Sequence, residues 1–200
     1  MITEITMTDE QRELFELGRT SASLRQPKVV HGTQLTGKVE WYTPPQYVEA
    51  AREVMGSIDC DPASSVLAQK VIQAKIYYTF QTNGLAHKWN GNIWLNPPYA
   101  SKLIKPFVEL LIARLESGEV KQAVMLTHCN SDTAWYHQAW DKCSAFCQTR
   151  GRVRFYDSNG TANSPTHGHV FLYFGRRHKR FSEVYQQFGA ISRPYRKGTK

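Results

Sequence analysis

From Glu40 onward, short apolar stretches of β character alternate with longer segments of helical period, and no other feature of the chain constrains its fold as tightly. Strands separated by helices of about ten or more residues require a mostly parallel sheet with helices on both faces, an α/β fold. Thr43 is placed to cap a first helix whose opening turn holds Pro44 and Pro45. Val48, Ala51, Val54 and Met55 line one face of it, and Gly56 ends it. A short strand follows at 57–60, a helix at 64–74 and a β-rich stretch at 76–80. The apolar strand at 92–95 stops at Asn96-Pro97-Pro98-Tyr99. Leu103, Ile104, Phe107, Leu110, Leu111 and Leu115 define an amphipathic helix over 101–117, closed by Gly118. A buried strand is predicted at 122–127, a helix at 132–140, β segments at 143–148, 152–156 and 169–174, and a last helix at 181–189. The closely spaced final strands predict an antiparallel C-terminal hairpin on one edge. Open sheets of this kind take their ligands at the carboxyl ends of the strands.

Three parts are expected. Residues 1–39 form a short helix (8–18, from Thr8 to Gly18) followed by a polar arm, 40–190 the folded domain, and 191–200 a basic tail. No run of roughly 18 apolar residues exists, so no membrane-spanning segment is expected. The start of the chain has three acidic side chains and no apolar core, unlike a signal peptide. Cys60, Cys129, Cys143 and Cys147 are few and scattered, which fits a reducing cytosol better than a disulfide scaffold.

The chemistry is concentrated in Asn96-Pro97-Pro98-Tyr99. Two prolines hold a rigid extended turn, and Pro97 drives Asn96 out of helical geometry. An asparagine fixed at a strand end presents one acceptor and two donors in set directions. Its Oδ1 and the Pro97 carbonyl can together accept both hydrogens of an amino group, while Tyr99 stacks on a flat ring. An aromatic amine is a poor nucleophile because its lone pair is delocalised. Two acceptors pull the nitrogen toward sp³ geometry and aim the lone pair at an electrophilic methyl. Positioning and electrostatics then suffice, with no strong general base.

Charge points to the partner. Twenty-five Lys and Arg against 17 Asp and Glu leave +8, an excess that favours a polyanion. Arg150, Arg152 and Arg154 flank a β stretch with Val153 and Phe155 on one face. The pattern reads equally as phosphate-binding arginines beside a groove-reading loop and as the polar face of an edge hairpin. Arg176, Arg177 and Lys179, within a basic run, suit phosphate contact or a solvated terminus.

Asn96 to Tyr99 matches the motif of amino-group methyltransferases acting on adenine, cytosine and glutamine. Three more stretches make the chain, from about Glu40 to Gly189, resemble the phage-type DNA N6-adenine methyltransferases. Glu40-Trp41-Tyr42-Thr43-Pro44-Pro45 resembles the Tyr-Thr-Pro element that opens their cofactor pocket. Ile58-Asp59-Cys60-Asp61-Pro62-Ala63-Ser64-Ser65 resembles their Asp-Pro-Ala-Ser strand end. Asn83-Gly84-Leu85 stands where an Asp-Gly-Leu precedes the catalytic turn.

The resemblance implies a Rossmann-like class I methyltransferase fold with S-adenosylmethionine as cofactor. It also implies adenine in DNA as substrate, flipped from the duplex or single-stranded. The cofactor residues it implies are Trp41, Tyr42, Thr43, Pro44, Asp59, Asp61, Pro62, Ala63 and Asn83. A cytoplasmic place in a bacterial host follows for a phage or prophage protein, with a restriction-modification setting. Two departures stand out: no glycine-rich loop follows the first strand, and Asn83 replaces an aspartate. No acidic side chain lies between Asp61 and Glu109 to grip a cofactor ribose.

Cys143, Cys147, His167 and His169 can also be read as a zinc set, but buried thiols and loop histidines account for them, and no metal is expected. Two other functions share the catalytic turn: glutamine methylation in a protein, and an inactive DNA-binding module of the same fold.

Overall fold

A computed structural model describes residues 42–157, 160–162 and 166–195, all within one compact unit. The helix expected at 8–18, the polar arm and Trp41 lie outside the described residues, as does the tail beyond 195.

Pro44 and Pro45 open α1 (Pro45–Met55), Pro44 at the cap and Pro45 in the first turn, where a missing N–H costs nothing. Gly56, at φ +88°, closes it in the left-handed region. Thr43 does not cap this helix; its hydroxyl is engaged elsewhere, as described below. The chain continues through β1 (Cys60–Ser64), a short α2 (Gln69–Ile72), β2 (Ile76–Thr79), a 3₁₀ turn (Gly84–Ala86) and β3 (Gly91–Leu95). It goes on through α3 (Ser101–Glu116), β4 (Val120–His128), α4 (Ala134–Lys142) and β5 (Ala145–Thr149). The last elements are β6 (His169–Phe174), α5 (His178–Tyr185) and β7 (Gly189–Ser192).

The seven strands form one sheet in the order β2-β1-β3-β4-β6-β5-β7. β1 to β5 run the same way, and β6 and β7 run against them. This is the expected mostly parallel α/β sheet with an antiparallel C-terminal part. The reversed strand, however, sits inside the sheet, between β4 and β5. All six residues of β6 are buried, as a strand covered on both faces requires. The edge belongs to β7, which the sequence pattern does not predict: its four residues carry no strong apolar run, and the strand runs past the boundary expected at 190. Residues 152–155 make no ladder, yet Val153 and Phe155 are buried and Arg152 and Arg154 exposed. The inferred alternation is therefore present without the strand.

Alternation along the strands divides the core in two. Trp94, Val124, Leu126, Phe171 and Tyr173 face α1 and α5, packing against Val48, Val54, Phe181 and Tyr185. Ile93, Leu95, Ala123, Met125, Val170 and Leu172 face α3 and α4, packing against Ile104, Val108, Leu111 and Tyr136. Cys147 lies in the first core and Cys143 in the second, so the sheet separates the two thiols of the suggested zinc set. Their thiols donate instead to the carbonyls of Tyr185 and Trp140. Among the described residues no helix is long and apolar enough to cross a membrane.

Candidate active site

The sheet has its switch point at β1. From β1 the chain crosses to β2 on one side, then returns to place β3 on the other. A crevice forms at the carboxyl ends of β1 and β3 in such a topology. The Asn96 turn leaves β3 there, and Asp61-Pro62-Ala63 lies along the adjoining end of β1.

Asn96 is held from two sides. Its Nδ2 donates to Thr43 Oγ1 at 3.2 Å, and its Oδ1 accepts from the Tyr99 hydroxyl at 2.7 Å. Thr43, in the segment before α1, is 7% exposed, so burial fixes the acceptor that sets which way the amide points. Tyr42 is fixed with it, exchanging both backbone hydrogen bonds with Tyr156 at 2.7 and 3.0 Å. The Tyr42-Thr43-Pro44 element therefore lies against the Asn96 turn. Pro97 is buried, and burial raises the Tyr99 hydroxyl above the ordinary phenol range.

Asp61 is 1% exposed. Its carboxylate accepts from Gln69 Nε2 at 3.0 Å and from the Ala63 amide at 3.3 Å. Burial nevertheless raises its pKa to about 7, against the lowering effect of Ser64, Ala63 and Gln69. Gln69 carries no motif that would single it out in the sequence. It also donates to Ser64 Oγ and accepts from the Ala74 amide, so the first turn of α2 braces the β1 end.

Asn83-Gly84-Leu85 reaches the same place. A Cβ at Gly84 would run into the Pro62 carbonyl, so only glycine permits this approach, and Trp89 Nε1 locks the Gly84 carbonyl at 2.8 Å. Asn83 sits at φ +52°, a region asparagine tolerates better than most residues, and its Oδ1 accepts from the Leu85 amide. That Oδ1 therefore already accepts one hydrogen bond within its own turn, with its second lone pair left over.

Two sets of expected residues are elsewhere. Asp59 lies at the opposite end of the strands, beside Asn92 at the start of β3. Its carboxylate accepts from the Asn92 amide and Ser57 Oγ and pairs with Lys75 at 2.7 Å. Burial works to raise its pKa, but Lys75, Asn92 and Ser57 outweigh it and hold the group below the usual carboxylate range. Asp59 ties β1 to β3 and is removed from the site by its register. Arg176, Arg177 and Lys179 follow β6, and because β6 is antiparallel they emerge at that same far end. Arg177 donates to the Val54 carbonyl there. Arg150, Arg152 and Arg154 follow β5, which ends at the Asn96 side, and all three are exposed.

Three histidines complete this end. His128 closes β4, His169 opens β6, and the two are register partners. The His128 ring lies 3.9 Å from that of Tyr99 and 4.7 Å from His167. Burial lowers His128 to about 4, helped by His167, and lowers His169 to about 4, helped by His128, His167 and Arg152. His169 is the first residue of a buried strand, as the β segment expected at 169–174 has it, and not a loop histidine; a histidine ending the apolar run before Cys129 was the available signal for His128.

A family model described as DNA N-6-adenine-methyltransferase (Dam) matches residues 32–194. The chain belongs to that family. The Dam match spans every element above, from before the Tyr42-Thr43-Pro44 segment to beyond β7, and it carries adenine N6 methylation in DNA as the family's activity. The curated proteins contain no match to the chain.

Proposed function

We propose that this protein transfers a methyl group from S-adenosylmethionine to the N6 of an adenine in DNA, with the base out of the duplex or in a single strand. The observation that carries the reading is the doubly anchored Asn96 amide at the carboxyl end of β3. A buried carboxylate at Asp61 whose pKa is raised by desolvation fits a cationic ligand, because an ammonium group nearby would offset the cost of its charge. Tyr42, Thr43, Pro44, Asp61, Pro62, Ala63 and Asn83 are the residues to hold the cofactor, with Asp59 left out on its position. When bound, S-adenosylmethionine supplies an electrophilic methyl group.

The protein's own part is placement. Asn96 Oδ1 and the Pro97 carbonyl take the two hydrogens of the adenine amine and turn its lone pair outward. Tyr99 stacks on the base. The exposed Arg150, Arg152 and Arg154 contact phosphates, offsetting the few kcal/mol that unstacking costs. Once alkylated, the nitrogen is cationic and sheds a proton without a dedicated base. Residues from about 40 onward form the catalytic unit.

The test is direct. The purified chain, given labelled S-adenosylmethionine and adenine-containing oligonucleotides, should yield N6-methyladenine on digestion. Label in glutamine of a protein substrate and none in DNA would replace this reading with the amide one. Cofactor binding without transfer to either would leave a non-catalytic module.

A further inference from the structure

His128, His167 and His169 take no part in gripping the amine. They nonetheless form a ladder of rings running from the Asn96 turn to solvent. Tyr99 meets His128 at 3.9 Å with planes 46° apart, and His128 meets His167 at 4.7 Å, nearly parallel at 18°. The outermost ring, His167, is exposed, and its Nδ1 lies 2.9 Å from Thr166 Oγ1, which orients it.

Behind the ladder, His169 is 3% exposed, and neither of its ring nitrogens has a hydrogen-bond partner among the described residues. It stands 5.0 Å from His128 and 6.1 Å from Tyr99. A buried imidazole left unpaired costs stability, and this one stands directly behind the stacked rings. Burial lowers His128 and His169 to about 4, so both are neutral near pH 7 and put no cation behind the outer ring. Arg152 is close enough to His169 to depress its protonation, and the exposed Arg154 is two residues further on.

Stacked imidazole rings ending at the surface near the Arg152 guanidinium suit one ligand chemistry, a nucleobase on a phosphate backbone. We propose that the His167–His128 stack holds a second nucleobase beside the adenine at Asn96, and so governs DNA affinity rather than the rate of methyl transfer. The inference rests on the adenine-methylation reading. The second base has two possible sources, the neighbour of the target on its own strand or the partner orphaned when adenine leaves the duplex.

The experiment uses the full chain and three variants, His167→Ala, His167→Phe and His167→Gln. Removing one stacking ring should raise the KM for DNA roughly tenfold while kcat at saturating DNA and cofactor affinity stay unchanged. His167→Phe should restore the KM, and His167→Gln should behave like His167→Ala. If the loss is equal on single-stranded oligonucleotides, the neighbouring base is the ligand. If it appears only on duplex and vanishes when the opposite nucleotide is abasic, the orphan is. An unchanged KM in His167→Ala on both substrates, or rescue by Gln and not by Phe, overturns the proposal. Binding is read separately with 2-aminopurine placed beside, or opposite, the target adenine. Its stacking-dependent quenching by the wild-type protein should be lost in His167→Ala whether or not methyl transfer occurs. Quenching without methylation would sink the enzymatic reading alone, and methylation with identical quenching in both proteins would sink the stacking site alone.

Discussion

The Tyr99 hydroxyl donates to Asn96 Oδ1 at 2.7 Å, so the acceptor in the proposed grip on the amine is already engaged by the ring proposed to stack on the base. Base entry must share or displace that bond. The orientation of the amide then depends on its other anchor, the 3.2 Å bond to Thr43.

Tyr99→Phe keeps the ring and frees the acceptor, and should retain activity within about tenfold of wild type, the scale of one neutral hydrogen bond. Tyr99→Ala should lose considerably more. Equal losses in steady-state assays of the two variants would show that the hydroxyl, not the ring, is what matters.

Asn96→Ala should abolish transfer while leaving cofactor affinity nearly intact. Thr43→Val leaves Nδ2 without its acceptor and lets the amide turn over, so kcat should fall about tenfold. Retention of more than about a tenth of the wild-type rate in Asn96→Ala, less than one tenfold step of barrier, would remove Asn96 from its role.

Asp61 gives a pH signature whose sign is fixed. Its carboxyl has a pKa near 3.8 when unfolded and about 7 when folded, so between those values the native state holds a proton that the unfolded state has released. Stability should therefore fall as pH rises from about 4 to about 7, by on the order of a few kcal/mol, and level off above. Asp61→Asn should flatten that slope in denaturant titrations and raise stability at about pH 7.5, above both values. The same variant should bind S-adenosylmethionine more weakly, and unchanged affinity by calorimetry would move the cofactor site away from β1.

Arg152→Ala with Arg154→Ala should weaken DNA binding and reduce the dependence of log K on log salt by about one unit of slope per lost phosphate contact. Arg176→Ala with Lys179→Ala, at the far end of the sheet, should leave both unchanged. A drop in slope from the second pair would mean that DNA wraps the molecule end to end.

Gly84→Ala puts a Cβ against the Pro62 carbonyl and must part the 3₁₀ turn from the β1 end. The melting temperature should drop by several degrees, as about 1–3 kcal/mol of overpacking produces. Cofactor affinity should fall with it. An unaltered melting curve would show that the two loops are not held together as described.

Much of this architecture is legible in the order of the amino acids. The apolar run His169–Phe174 reads as a strand, though not as an inner one, and the long periodic segment at Ser101–Glu116 reads as a helix with one buried face. Asn96-Pro97-Pro98-Tyr99 is visible as a rigid turn after a strand, because two prolines restrict the backbone whatever surrounds them. Short or polar elements are less legible: α2 has four residues where the pattern suggests a helix over 64–74, and β7 leaves no signal at all. In both, tertiary contacts rather than local pattern supply the stability.

Periodicity and backbone restriction are local properties, so the α/β class and a rigid turn at Asn96 after a strand are legible in the chain alone. Which charged and polar groups share an end depends on strand pairing. Direction along a strand is set by its pairing partners, and nothing in the local sequence of β6 announces that it runs backwards between β4 and β5. That single reversal carries Arg176, Arg177 and Lys179 away from the site, roughly 17 Å along the strands by the usual rise per residue, and brings His169 beside His128 and Tyr99. Register decided Asp59 in the same way: two residues before Asp61, it falls at the other end of a short strand, where Lys75 and Asn92 hold it.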